Sequence, residues 1–121
     1  TEGHGLTDTG WEVHPRGLEK VVRYASKLNL PIIITENGIA TRDDQKKIKF
    51  IKGHLDVLER CLDNGIDVRG YFYWSLIDNY EWLRGFDARF GLYRVDFSTF
   101  ERKPTSAASY YSYLIKKNIK F

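Results

Sequence analysis

The chain has 121 residues, with 19 Lys and Arg against 16 Asp and Glu and a formal net charge of +3. A hydrophobic fraction of 42% excludes a disordered chain. Cys61 is the one cysteine, which excludes an internal disulfide framework and a cysteine zinc cluster. A lone cysteine fits a reducing compartment, and a cytoplasmic location is the expectation. The longest apolar runs are four or five residues, so no membrane partner is expected. The basic residues are spread, with clusters at Lys46-Lys47-Ile48-Lys49 and Lys116-Lys117 that read as solvated helix faces. The aromatics sit elsewhere, mainly at positions 71–93, so nucleic acid is not an expected partner.

Residues 1–9 are polar and show no start of an element, as in the tail of something longer. Pro15 suits the first position of a helix, because the donor it lacks is unpaired there anyway. Leu18, Val21, Val22, Ala25 and Leu28 then follow helical spacing, and Asn29-Leu30-Pro31 stops the helix. Residues 32–35, Ile-Ile-Ile-Thr, are apolar and β-branched on successive positions. They read as a parallel strand buried on both faces. Asp43 or Asp44 caps a second helix with the stripe Ile48, Ile51, Leu55, Leu58 and Leu62, and Asn64-Gly65 ends it. A second strand covers residues 68–74 and a long aromatic loop covers residues 75–90. An extended arm follows at 91–97, with a turn at Ser98-Thr99. Thr105 or Ser106 caps a last helix with Ala108, Tyr111, Leu114 and Ile115 on one face.

This order predicts an α/β fold with a parallel sheet and right-handed crossovers. Two strands buried on both faces cannot close a sheet, so other strands must cover their edges. Residues 1–121 therefore read as part of one domain, an incomplete one.

Two places carry candidate chemistry. Glu36 directly follows the first strand, and in α/β folds the carboxyl ends of strands line the active site. A strand-end acid that merely caps a turn is the plain alternative. The second strand ends in Trp74-Ser75-Leu76-Ile77-Asp78-Asn79-Tyr80-Glu81-Trp82. Flat aromatic faces stack on sugar rings and carboxylates accept hydrogen bonds from vicinal hydroxyls, so this mixture suits carbohydrate. An aromatic core cluster under a loop is its plain alternative.

The stretches Ile34-Thr35-Glu36-Asn37-Gly38 and Trp74 through Trp82 resemble the two C-terminal signatures of family 1 glycoside hydrolases, the β-glucosidase family. Gly10-Trp11-Glu12-Val13, Arg89-Phe90-Gly91-Leu92 and Lys103-Pro104-Thr105-Ser106-Ala107 are similar to flanking segments of that family, in the same order. The resemblance implies the C-terminal quarter of a (β/α)8 TIM barrel, strands seven and eight with flanking helices. A complete barrel needs about 250 residues. It implies Glu36 as the catalytic nucleophile of a retaining β-glycosidase. It also implies substrate-binding roles for Trp74 (subsite floor), Glu81 (acceptor for sugar hydroxyls), Trp82 (indole donor) and Phe90 (aromatic wall). Asn37 and Gly38 are expected to shape the exit turn. The family chemistry implies no metal and no cofactor. An intact Glu81-Trp82 pair favours an unphosphorylated β-D-glycoside, since a carboxylate there repels a phosphate.

The departures bear on activity. The family's acid/base is the glutamate of an Asn-Glu-Pro motif, and this sequence has no such tripeptide. A retaining mechanism needs two carboxyls about 5–5.5 Å apart. Glu81 is matched to binding and Asp78 is expected to order the loop, so the isolated chain is expected to be inactive. Its expected partners are a β-glycoside substrate and either the missing N-terminal part of the barrel or copies of itself. Lys47 stands where many relatives carry arginine. His4 is expected to be solvated, His14 to mark helix entry, His54 to be packed inside the second helix, and Cys61 to be a small filler. Two other readings stay open: a catalytically inert or carbohydrate-binding remnant, and an unrelated α/β interaction module.

Overall fold

The structure is a computed structural model that describes residues 5–117. The expectation for His4 lies outside those residues. Among the described residues seven α-helices and strands follow in order: α1 (Pro15–Ala25), β1 (Ile32–Asn37), α2 (Asp44–Asp63), β2 (Val68–Tyr73), β3 (Tyr93–Val95), β4 (Arg102–Pro104) and α3 (Ser106–Lys116). β1 and β2 pair in parallel with α2 as their crossover, and β3 pairs antiparallel with β4.

Each helix begins as its local chemistry dictates. α1 has Pro15 at its first turn. Asp43, not Asp44, caps α2, accepting from the backbone N–H groups of Gln45 and Lys46. Asp44 instead ties α2 to the other half of the chain. Its carboxylate accepts from Arg94 at 2.6 Å and from the Ser106 backbone N–H at 3.0 Å. Thr105 caps α3 through the Ala108 N–H. Such caps contribute about 1 kcal/mol each. α2 ends at Asn64, and Gly65 takes a φ of 78°, a left-handed turn that glycine adopts without a side-chain penalty.

The core joins α2, β1, β2 and α3, with Ile34, Ile51, Leu55, Leu58, Val68 and Ala107 at its centre. α2 buries more than its predicted stripe, because Phe50, His54, Val57 and Cys61 are also inside. Cys61 is fully buried, and burial pushes its thiol above the ordinary value, as suits a filler.

Three expectations are corrected. Val21 and Leu28 are exposed, because α1 turns only its Leu18–Val22 side toward the core. The strands are buried on one face only: Ile33 is 54% exposed and Phe72 60% exposed, while Ile34 and Tyr71 are inside. The described residues place nothing over that outer face. Ile115 is exposed although it shares helical spacing with Leu114, because α3 meets the core through Ala107, Ala108 and Tyr111. Residues 6–12 are tied to the body of the chain. Leu6 bridges Glu12, and Asp8 joins the loop after β1 through Ala40 and Arg42.

His54 gives a pH test of the core. It is buried, stacks on Phe50 with ring centroids 3.8 Å apart, and its Nδ1–H donates to the Phe50 carbonyl at 2.8 Å. Burial holds its pKa below the ordinary 6.5, outweighing the pull of that carbonyl, and His14 adds to the lowering. The unfolded chain therefore binds the proton first as pH falls. The stability His54 contributes is complete above about pH 6.5 and falls as pH drops below it toward the folded value. Urea melts at pH 7.5 and 5 should show this loss, and His54→Gln should flatten that part of the profile. An unchanged slope in the variant would remove His54 from the account.

Candidate active site

β1 and β2 run in parallel, so their carboxyl ends meet at one edge. There the Trp74 backbone N–H donates to the Asn37 carbonyl at 3.0 Å. Glu36 lies in β1, one residue before that contact. The register explains its direction. Ile34 faces Tyr71 and Asn37 faces Tyr73, so Thr35 and Glu36 together oppose Phe72 alone. This is a β-bulge, a device that breaks alternation and re-aims a side chain. Thr35 and Glu36 are accordingly both exposed in succession.

The turn after β1 depends on Gly38. A methyl group there would lie inside the envelope of the Trp74 carbonyl oxygen. The two strand ends thus touch backbone to backbone. This is the turn-shaping role expected for Gly38.

Trp74 leads into the loop through a cis peptide bond to Ser75. Its indole Nε1–H donates to Glu81 Oε1 at 3.2 Å. Its ring packs on a small cluster of Ala40, Ala88 and Phe90. Trp74, Glu81 and Phe90 are therefore brought together at the edge that carries Glu36. Trp82 is not part of this knot. It opens a short 3-10 turn (Trp82–Arg84) with φ 49° and is 83% exposed. The other loop aromatics form a separate stack, with Phe86 between Tyr80 (5.2 Å) and Phe97 (4.1 Å). That stack is not a core cluster, since Tyr80 and Phe86 are exposed, whereas Trp74 packs on the buried Phe90 at the strand ends.

Asp78 fastens the loop. Its side chain is 1% exposed. It accepts from the Gly91 N–H at 2.9 Å, from Arg89 at 3.2 Å and from the Val95 N–H at 3.3 Å. Beside it the buried Lys47 ammonium donates to the Gly91 carbonyl at 2.5 Å. Burial lowers the Lys47 pKa, and the Asp78 charge pulls it back up. Arg89 also stacks on Phe97, 4.7 Å from the ring centre. This lock matches the ordering role expected of Asp78. The part played by Lys47 was missed, since a lysine beside an apolar stripe carries no sign of burial.

Three tyrosine hydroxyls were missed as well. Tyr71 donates to Asn37 Oδ1 at 2.9 Å, Tyr73 to the Phe90 carbonyl at 3.1 Å, and Tyr111 to the Tyr71 carbonyl at 3.2 Å. Burial raises the pKa of all three, so they stay protonated donors. Among the described residues no group of three or more His, Cys, Asp or Glu side chains could hold a metal ion. No helix among them is long and apolar enough to cross a membrane.

Comparison with known proteins adds the family. The chain is 44% identical to beta-glucosidase 47 of Arabidopsis thaliana over 109 residues, covering 84% of this chain and 20% of that protein. It is 42% identical to a beta-galactosidase of Pyrococcus woesei, covering 82% of this chain and 19% of that protein. Among solved structures, a beta-glycosidase from Pyrococcus horikoshii superposes with a TM-score of 0.91 at 46% identity. That match covers 94% of this chain and 27% of the other. A family 1 β-glucosidase from Thermotoga maritima, in complex with isofagomine lactam, gives a TM-score of 0.91 at 35% identity. The chain thus spans about a fifth of the length of its curated relatives. The glycosyl hydrolase family 1 profile matches residues 3–120, and the chain belongs to that family as an α/β portion of the longer proteins it resembles.

Proposed function

We propose that this chain supplies the nucleophile and part of the glycone subsite of a retaining β-glycosidase acting on unphosphorylated β-D-glucosides or galactosides. In this reading β1 and β2 are strands seven and eight of the barrel, and residues 1–121 are an incomplete domain. The observation that carries it is the meeting, at one strand edge, of the bulged Glu36 with the Trp74–Glu81–Phe90 knot.

The Glu36 carboxylate attacks the anomeric carbon, the bond to the aglycone oxygen breaks, and a glycosyl ester forms. Water then cleaves that ester with overall retention. Trp74 offers an apolar floor, Phe90 a wall, Glu81 a hydroxyl acceptor, and the exposed Trp82 an indole donor that can reach outward to a bound sugar. The carboxylate of Glu81 also disfavours a phosphorylated sugar. Protonation of the leaving oxygen needs a second carboxyl. The sequence has no Asn-Glu-Pro to provide it, so the chain alone lacks turnover. The exposed Ile33 and Phe72 on the outer strand face support a partner there, either the remaining barrel or further copies of this chain.

The test is covalent trapping. The chain alone should give no turnover of an aryl β-glucoside. Mixed or co-expressed with the upstream three-quarters of a family 1 barrel, it should hydrolyse that substrate. A 2-deoxy-2-fluoroglucoside should then add one sugar to the peptide containing Glu36, as read by mass spectrometry. Label on another carboxyl, or equal label on Glu36→Gln, would overturn the assignment.

A further inference from the structure

Glu36 has no side-chain hydrogen bond or ion pair of its own among the described residues, so its direction is set by the backbone that carries it. That backbone is the bulge, which places two residues of β1 against one of β2. A bulge can slip, because the extra residue is unpaired in the ladder. Here its downstream side is held at Asn37 by Trp74 and Tyr71, the Tyr71 hydroxyl also lying 3.5 Å from the Asn37 carbonyl. The Trp74 N–H takes the Asn37 carbonyl at 3.0 Å, and the Tyr71 hydroxyl takes Asn37 Oδ1 at 2.9 Å. The first of these continues the strand ladder. The second comes from a buried side chain on the upstream side of the bulge, since Tyr71 is the register partner of Ile34. Tyr71 therefore spans the bulge: its backbone pairs before Glu36 and its hydroxyl binds after it.

We infer that Tyr71 is a positioning residue for the nucleophile, acting through the Asn37 side chain to fix the bulge and so the direction of the Glu36 carboxylate. The inference rests on the reading of Glu36 as nucleophile. Had the hydroxyl served only to satisfy a buried phenol, any acceptor would do. Instead the acceptor is the side chain next to Glu36, across 34 positions of sequence.

The experiment uses a complete family 1 barrel carrying this segment and the probe 2,4-dinitrophenyl 2-deoxy-2-fluoro-β-D-glucoside. A Glu36 oxygen forms the bond to the anomeric carbon, and dinitrophenolate leaves with the bonding pair, needing no proton. The step thus reports the nucleophile alone. In Tyr71→Phe the saturating inactivation rate constant should fall roughly tenfold, short of the ~100-fold that a 1 Å misplacement can cost. The half-saturating probe concentration should stay within about twofold of wild type, since binding is untouched. Asn37→Ala removes the acceptor instead of the donor and should give the same drop, which keeps the test open if Tyr71→Phe folds poorly. Wild-type rates in Tyr71→Phe or Asn37→Ala, with label still on Glu36, would overturn the inference and leave the nucleophile reading standing. So would loss of probe binding in step with rate. No label on Glu36 in the wild-type barrel would overturn both.

Discussion

Gly38→Ala is expected to destabilise the chain by about 3 kcal/mol or more and to leave little of it soluble. The added methyl would overlap the Trp74 carbonyl oxygen, and backbone atoms cannot move aside by changing rotamer. Relief requires the ends of β1 and β2 to separate. That breaks the 3.0 Å bond from the Trp74 N–H to the Asn37 carbonyl and lifts Trp74 from Ala40, Ala88 and Phe90. Forced overpacking costs roughly 1–3 kcal/mol, and a lost buried hydrogen bond about 1 kcal/mol more. Against a total of about 5–15 kcal/mol for a typical domain, this is a large share. The same separation moves Glu36 away from the aromatic knot. In a completed barrel any folded Gly38→Ala protein should therefore also lose most turnover. Urea midpoints and soluble yield measure the first effect. A variant with the wild-type midpoint would mean the turn can relax without opening the strand edge.

Much of the fold was legible because one residue decided each feature. Pro15 opens α1, Asp43 caps α2, Gly65 closes it, and Thr105 caps α3. Each acts on its own neighbours, so the local sequence narrows each cap to two adjacent residues, of which Asp43 and Thr105 make the bonds. What failed depended on which face finds a partner. Val21 and Val22 are identical side chains at adjacent positions, yet only Val22 is buried, because only its direction meets α2. Spacing states that a helix could be amphipathic and is silent on how wide its contact is. β4 was missed because Arg102-Lys103-Pro104 has no strand-like composition. It pairs antiparallel with β3 all the same, Arg94 opposite Lys103.

The site divides along the same line. Glu36 and the loop from Trp74 to Trp82 stood out because unusual residue types are crowded at strand ends. The bulge that aims Glu36 did not, since it is a mismatch between two strands and neither strand alone contains it. The Tyr71–Asn37 bond joins residues 34 apart, and nothing near either one marks the pairing. Lys47 shows the opposite error of local reading: it stands in a basic run that reads as solvated, yet it is 2% exposed.

Asp78→Asn should reveal how strongly the loop depends on that buried charge. The carboxylate receives the Gly91 N–H at Oδ1 and both the Val95 N–H and Arg89 at Oδ2. An amide turned either way presents its NH2 to one of these donors, so at least one bond becomes a clash. The negative charge facing Lys47 and Arg89 is also lost. Breaking a buried charge pair from one side costs about 3–5 kcal/mol, because the remaining cation is left without compensation. Lys47 then feels burial with less opposing attraction, and its folded pKa moves further below the ordinary 10.5. Between those two values the unfolded chain holds the proton and the folded chain does not. The variant should accordingly regain stability as pH rises toward 10.5, more steeply than wild type. Lys47→Met added to Asp78→Asn removes the stranded cation and should restore part of the loss, a coupling that a double-mutant cycle of urea midpoints would read. The loop that Asp78 secures carries Glu81 and Phe90, so probe affinity in a completed barrel should weaken along with stability. If Asp78→Asn keeps the wild-type midpoint and the second substitution adds nothing, then the Trp74–Phe90 packing holds the loop without help from charge.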